Sequence, residues 1–88
     1  MGRLKQGFYP LKISLKEYPD FSDRLKIAMD IRECTVGELA AAAYVTKSAI
    51  CGYRAGYRSP NVNTLKLLAK ELDVSSDFLI GIQEEIYI

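Results

Sequence analysis

Apolar side chains recur at helical spacing from about residue 20 to residue 81, and only the chain ends depart from that rhythm. In "PDFSDRLKIAMDIR" the residues Phe21, Leu25, Ala28 and Met29 share one face behind Asp20 or Ser22 as N-cap, which predicts a first helix ending near Arg32. "TVGE" has the form of a capping box, in which Thr35 accepts from the backbone N–H of Glu38 and the Glu38 carboxylate reaches back. A second helix therefore starts there and runs into the alanines. Thr46 opens a third after only about three residues. Gly56 and Pro60 then bound a loop. "NVNTLKLLAKELDV" predicts a fourth helix with Leu65, Leu68, Ala69 and Leu72 buried and Lys66, Lys70 and Glu71 facing water. "VSSDFLIG" adds a short fifth, capped by Ser75, stapled by Val74 and Leu79 and stopped at Gly81.

The ends read differently. "LKISL" alternates with period two, putting Leu11, Ile13 and Leu15 on one side, and "EIYI" closes the chain in β-favouring residues. The expected fold class is all-α, five short helices, with short β segments at the two chain ends. Those segments would pair within one chain or across a dimer; disorder of the first ten residues is the alternative. The corresponding division is an N-terminal extension or arm over 1–18, a helical domain over 19–81 and a C-terminal extension over 82–88.

With 88 residues, 49% of them hydrophobic and 26% charged, the composition is that of one ordinary globular domain with a modest core. No apolar run is long enough for a membrane span and no secretory h-region precedes the helices, so a cytoplasmic protein is the default. Cys34 and Cys51 lack a CxxC partner and the chain has no histidine, so neither a metal site nor the usual general base is expected. Phosphate-loop and nucleophile-elbow patterns are also missing. A binding module without cofactors is favoured over an enzyme. The net charge of +1 names no partner, but its distribution is uneven. Residues 1–19 carry Arg3, Lys5, Lys12 and Lys16 against Glu17, and residues 34–60 carry Lys47, Arg54 and Arg58 against Glu38. A polyanion would meet the N-terminal arm and the middle of the chain.

The small residues of "TVGELAAAAYVTKSAICGYRAG" have a use if two helices joined by a short turn cross steeply, because close backbones need small side chains between them. Leu39-Ala40, Val45, "TKSAI", Gly56, Pro60, "LLAKELDVS" and "FLIG", in that order, resemble the helix-turn-helix domains of the lambda-repressor and Cro class, also called the xenobiotic-response-element (XRE) family. The resemblance covers residues 21–81 and makes 19–81 a helix-turn-helix DNA-binding domain. It implies that the third helix enters the DNA major groove while the second crosses the backbone. Its base-contact positions fall on Lys47, Ser48 and Cys51, with Ala49 close to the groove. The DNA-backbone candidates follow from chemistry rather than exact position: Thr46 at the start of the third helix, Tyr57 and Arg58 in the loop after it, and Arg54. This chain has Val36 where similar domains often place glutamine, and Tyr44 where they place a turn glycine. Met29 and Arg54 stand where an arginine–glutamate pair is common, which leaves Arg54 to find Asp30, Glu33 or a phosphate. Gly52 interrupts the third helix.

The resemblance thus implies a sequence-specific transcriptional regulator, a repressor of phage, mobile-element or small-operon type, binding double-stranded DNA as a homodimer. The alternative is a protein-interaction module on the same fold, such as an antitoxin or a component of a regulatory complex with a protein partner.

Overall fold

In the computed structural model, residues 10 to 87 are described. The expected arm's first portion, with Arg3 and Lys5, lies outside them. The element order is β1 (Pro10–Lys12), α1 (Phe21–Arg32), α2 (Val36–Ala43), α3 (Lys47–Ala55), α4 (Val62–Leu72), α5 (Ser76–Ile80) and β2 (Glu85–Tyr87).

Side-chain caps start four of the five helices. Thr35 and Glu38 form the complete capping box of α2. Thr46, Asn61 and Ser75 accept from the N–H groups of Ala49, Thr64 and Phe78. Asp20 is the N-cap of α1 by its extended backbone, although its side chain makes no capping bond.

The helix ends use a device that glycine alone did not announce. After α1, α2 and α4 the chain turns at Glu33, Tyr44 and Asp73, all left-handed, with φ of 55°, 57° and 54°. At each stop the next N–H reaches back over a full turn: Cys34 to Met29 O, Val45 to Ala40 O and Val74 to Ala69 O. This is the Schellman arrangement, and its apolar follower is present each time, since Cys34, Val45 and Val74 all pack on the core. Only α3 and α5 end at glycines, Gly56 and Gly81.

The core gathers Leu25, Ala28 and Met29 of α1, Leu39, Ala40 and Ala43 of α2, Ile50 and Tyr53 of α3, Leu68 and Leu72 of α4, and Phe78 and Leu79 of α5. Phe21 meets Tyr53 edge-on at 6.3 Å between centroids, tying α1 to α3. The buried methyls of Ala40 and Ala43 keep α2 close to its neighbours.

The two ends pair within the chain. β1 and β2 run antiparallel with Leu11 opposite Ile86, and Ile86 is buried. The alternation in "LKISL" extends further than the strand does: β1 stops at Lys12, Ile13 still donates to Glu84 O, and Ser14 then turns the chain through its hydroxyl and carbonyl.

Arg24 of α1, a residue outside the apolar face of Phe21, Leu25, Ala28 and Met29, is completely buried. Its guanidinium donates to the carbonyls of Phe78, Ile13, Tyr18 and Gln83 and lies 4.3 Å from the Phe78 ring centroid. Both paired ends and α5 are thereby fastened to α1. Burial pushes its pKa down, partly offset by the nearby Glu84 carboxylate. Arg32 plays a similar part at the other end of α1, donating to the carbonyls of Leu72, Asp73 and Tyr87.

Candidate nucleic-acid interface

Helix α3 has two unlike faces. Ala49, Ile50 and Tyr53 are buried, whereas Thr46, Lys47, Ser48, Cys51 and Ala55 are exposed. The exposed positions recur with helical spacing and form one continuous stripe. No acidic residue belongs to α3. The stripe can offer an ammonium, two hydroxyls, a thiol and a methyl to a ligand.

Thr46 has a double use. Its oxygen accepts the Ala49 N–H at 3.0 Å, and its own O–H remains available as a donor beside the start of the helix. Lys47 leans toward the second helix: a Cβ built on Gly37 would stand 3.3 Å from Lys47 Cε. The ammonium therefore sits near the beginning of α2, where backbone N–H groups also attract anions. Ser48 and Cys51 face outward, and Cys51 is a free thiol.

One expectation is corrected here and a second is narrowed. Ala49 is only 4% exposed and belongs to the core, because the third position of α3 points at the helix bundle; it has no surface to place close to a groove. Arg54 finds neither Asp30 nor Glu33. The ion pair among the described residues is Lys26 with Asp23 at 3.5 Å, and Arg54 is half-buried with its Nε buried and without a hydrogen-bond partner.

Downstream of α3, Tyr57 is 74% exposed and Arg58 is exposed beside it. Their N–H groups both return to Gly52 O, at 3.2 and 3.3 Å, which folds the loop against the helix. Arg58 lines a cleft with Ser22, Gly56 and Ser59, at the start of α1.

Two contributors were missed. Ala55 continues the exposed stripe, and Lys26 of α1 lines a shallow groove with Cys51, Arg54 and Ala55. For Ala55 the signal was available, as it lies eight residues after Lys47 and four after Cys51. For Lys26 it was not, because its place depends on how α1 packs against α3.

Two short helices joined by a tight turn, with the second exposing a polar and basic stripe, define a helix-turn-helix protein. A family model described as "Helix-turn-helix" matches residues 25–79. The chain belongs to that family, the XRE or lambda-repressor-like class of DNA-binding regulators. It is 29% identical over 65 residues to an uncharacterized HTH-type transcriptional regulator, YobD, of Bacillus subtilis (strain 168). That match covers 74% of this chain and 58% of the relative, so the chain spans little more than half the relative's length. Among solved structures it resembles the restriction-modification controller protein C.AhdI from Aeromonas hydrophila, with a TM-score of 0.63 and 24% identity over 67% of this chain and 89% of that one. This second likeness concerns the fold. No described helix is long and apolar enough to cross a membrane.

Proposed function

We propose that the protein is a sequence-specific DNA-binding transcriptional regulator, a cytoplasmic repressor of phage, mobile-element or small-operon type, that lays α3 in the major groove as a homodimer. The exposed stripe of α3, with no carboxylate in it, is the observation that carries this reading. Lys47 donates to guanine N7 or O6, Ser48 donates or accepts, and Cys51 packs against a base edge. Thr46, Tyr57, Arg58 and the partnerless Nε of Arg54 supply backbone contacts, and Lys26 adds a cation beside them. The names of the relatives, a transcriptional regulator and a controller protein, agree with this role.

A single α3 reads few base pairs, so two copies would read half-sites about 34 Å apart. Ile80 and Ile82, 44% and 65% exposed at the end of α5, are the apolar surface we assign to the dimer. Selection of bound sequences from a random duplex pool tests the whole reading. An enriched two-fold motif, bound with steep salt dependence, is expected; recovery of unenriched DNA would refute it.

A second reading, a protein-interaction module such as an antitoxin, is favoured by the exposed apolar residues Tyr44 (86%) and Ile82. Stoichiometric co-purification of a partner together with failure of the DNA selection would establish it instead.

A further inference from the structure

Gly52 stands inside α3, where glycine weakens a helix relative to alanine. Its backbone does not need glycine, since Gly56 and Gly81 are the described glycines with positive φ. What it needs is space. A Cβ built on Gly52 would lie 2.5 Å from Arg58 Cδ, 2.8 Å from Cγ and 3.2 Å from Cβ, against 3.4–4 Å for ordinary contact. The aliphatic stem of Arg58 is thus laid flat across the helix backbone. Gly52 is buried beneath it, while Arg58 as a whole is exposed.

The same residue holds the other end of that side chain. Gly52 O accepts the N–H groups of Gly56, Tyr57 and Arg58 at 3.0, 3.2 and 3.3 Å. Its carbonyl anchors the Arg58 backbone and its missing side chain admits the Arg58 stem. A long, rotamer-rich cation on a loop is held beside the exposed stripe before any ligand arrives.

We propose that Gly52 is a positioning residue for DNA binding: it pre-lays Arg58 against α3 so that the guanidinium meets a phosphate without first being ordered. The inference rests on the reading of Arg58 as a backbone contact. An alanine at 52 must drive the Arg58 stem back by roughly 1 Å or more. The neighbour is a flexible side chain rather than backbone, so the helix persists and Arg58 moves.

The test is a set of binding isotherms against salt for wild type, Gly52→Ala, Arg58→Ala and the double variant, on one selected duplex. Gly52→Ala should keep or raise the melting temperature, weaken binding about fivefold and flatten the log–log salt slope by up to about one unit, as Arg58→Ala does. The double variant should bind no worse than Arg58→Ala alone. If Arg58→Ala leaves affinity and slope unchanged, the DNA reading of Arg58 fails and the inference with it. Should Arg58→Ala weaken binding while Gly52→Ala does not, or should the two effects simply add, the positioning role alone is overturned. If Gly52→Ala fails to fold, nuclear Overhauser contacts in the wild type decide: cross-peaks between Gly52 Hα and the Arg58 Hγ and Hδ protons support the shelf, and their absence overturns it.

Discussion

Replacing Arg24 by methionine should cost more stability than any other substitution of a charged residue in the described chain. Arg24 is the one charged residue with no exposed surface among those described, and its guanidinium serves four carbonyls. Methionine fills much of the volume but donates nothing. The bond to Phe78 O is buried, and a lost charged hydrogen bond there costs about 1.5–3 kcal/mol. The other three bonds are part-buried, so water replaces them in part and each loss is smaller. The cation–π contact over Phe78 contributes roughly 1 kcal/mol more. Against these stands the relief of a buried charge, whose desolvation is visible in the lowered pKa of Arg24. We expect a net loss of about 2–3 kcal/mol, which in a domain of this size lowers the melting temperature by roughly 10–20 °C. Thermal and urea unfolding followed by circular dichroism measure it. Hydrogen exchange should also quicken at Leu11, Ile13 and Ile86, because Arg24 fastens the paired ends. Arg24→Lys keeps the charge but cannot span four acceptors, so it should fall between the two. A loss under about 0.5 kcal/mol for Arg24→Met would show that water alone satisfies those carbonyls, and the fastening role would be wrong.

Tyr44→Gly should stabilise the fold by about 1 kcal/mol, because Tyr44 holds a left-handed conformation at φ 57° while 86% exposed, and therefore loses strain without losing a core contact. A melting temperature at or below the wild-type value would count against that strain. At pH 8 iodoacetamide should modify the exposed Cys51 before Cys34, whose pKa is raised by burial and then by Glu38 and Glu71. With its folded pKa above the unfolded one, Cys34 contributes stability that is intact at neutral pH. That contribution falls as pH rises past about 8.5, where the unfolded thiol loses its proton first. A Cys34→Ala variant whose stability follows the wild-type pH profile in parallel would exclude it. Lys47→Ala should relax the preference at one base position of the selected motif, whereas Arg58→Ala should weaken all sequences alike; the same selection repeated on each variant separates the two.

The fold was most legible where a contact is local. A cap needs a hydroxyl and an N–H three residues apart, and Thr35, Thr46 and Ser75 announced three helix starts correctly. Asn61 followed the same rule at the fourth. Helix stops were legible in part: α1 ends at Arg32 as expected and Tyr44 takes the left-handed turn that similar domains give to glycine, whereas the left-handed Glu33 and Asp73 carried no such signal. The better signal was the apolar residue after each stop, Cys34, Val45 and Val74, which buries itself only if the turn is left-handed. Ala49 was misplaced for a different reason: position along a helix start says little about facing until the crossing with α1 and α2 is fixed. Arg24 was illegible in principle, since its acceptors come from residues as distant as Gln83 and are backbone carbonyls, to which sequence assigns no preference.

The arginines show why the total charge was a poor guide to function. Arg24 and Arg32 carry full charges, yet both are spent on backbone carbonyls and so hold the chain ends to α1. What faces outward around α3 is a smaller set, Lys47, Arg58, the half-buried Arg54 and Lys26, with Lys26 already paired to Asp23. A site with so few cations binds weakly unless each is placed before the ligand arrives, because every disordered side chain adds its own ordering cost. In that light the glycine at position 52 is not a defect of α3. Helix propensity is given up locally so that one of the few outward cations keeps a fixed stem, and the left-handed Tyr44 shows the same domain carrying local strain in the turn that sets α3 against α2.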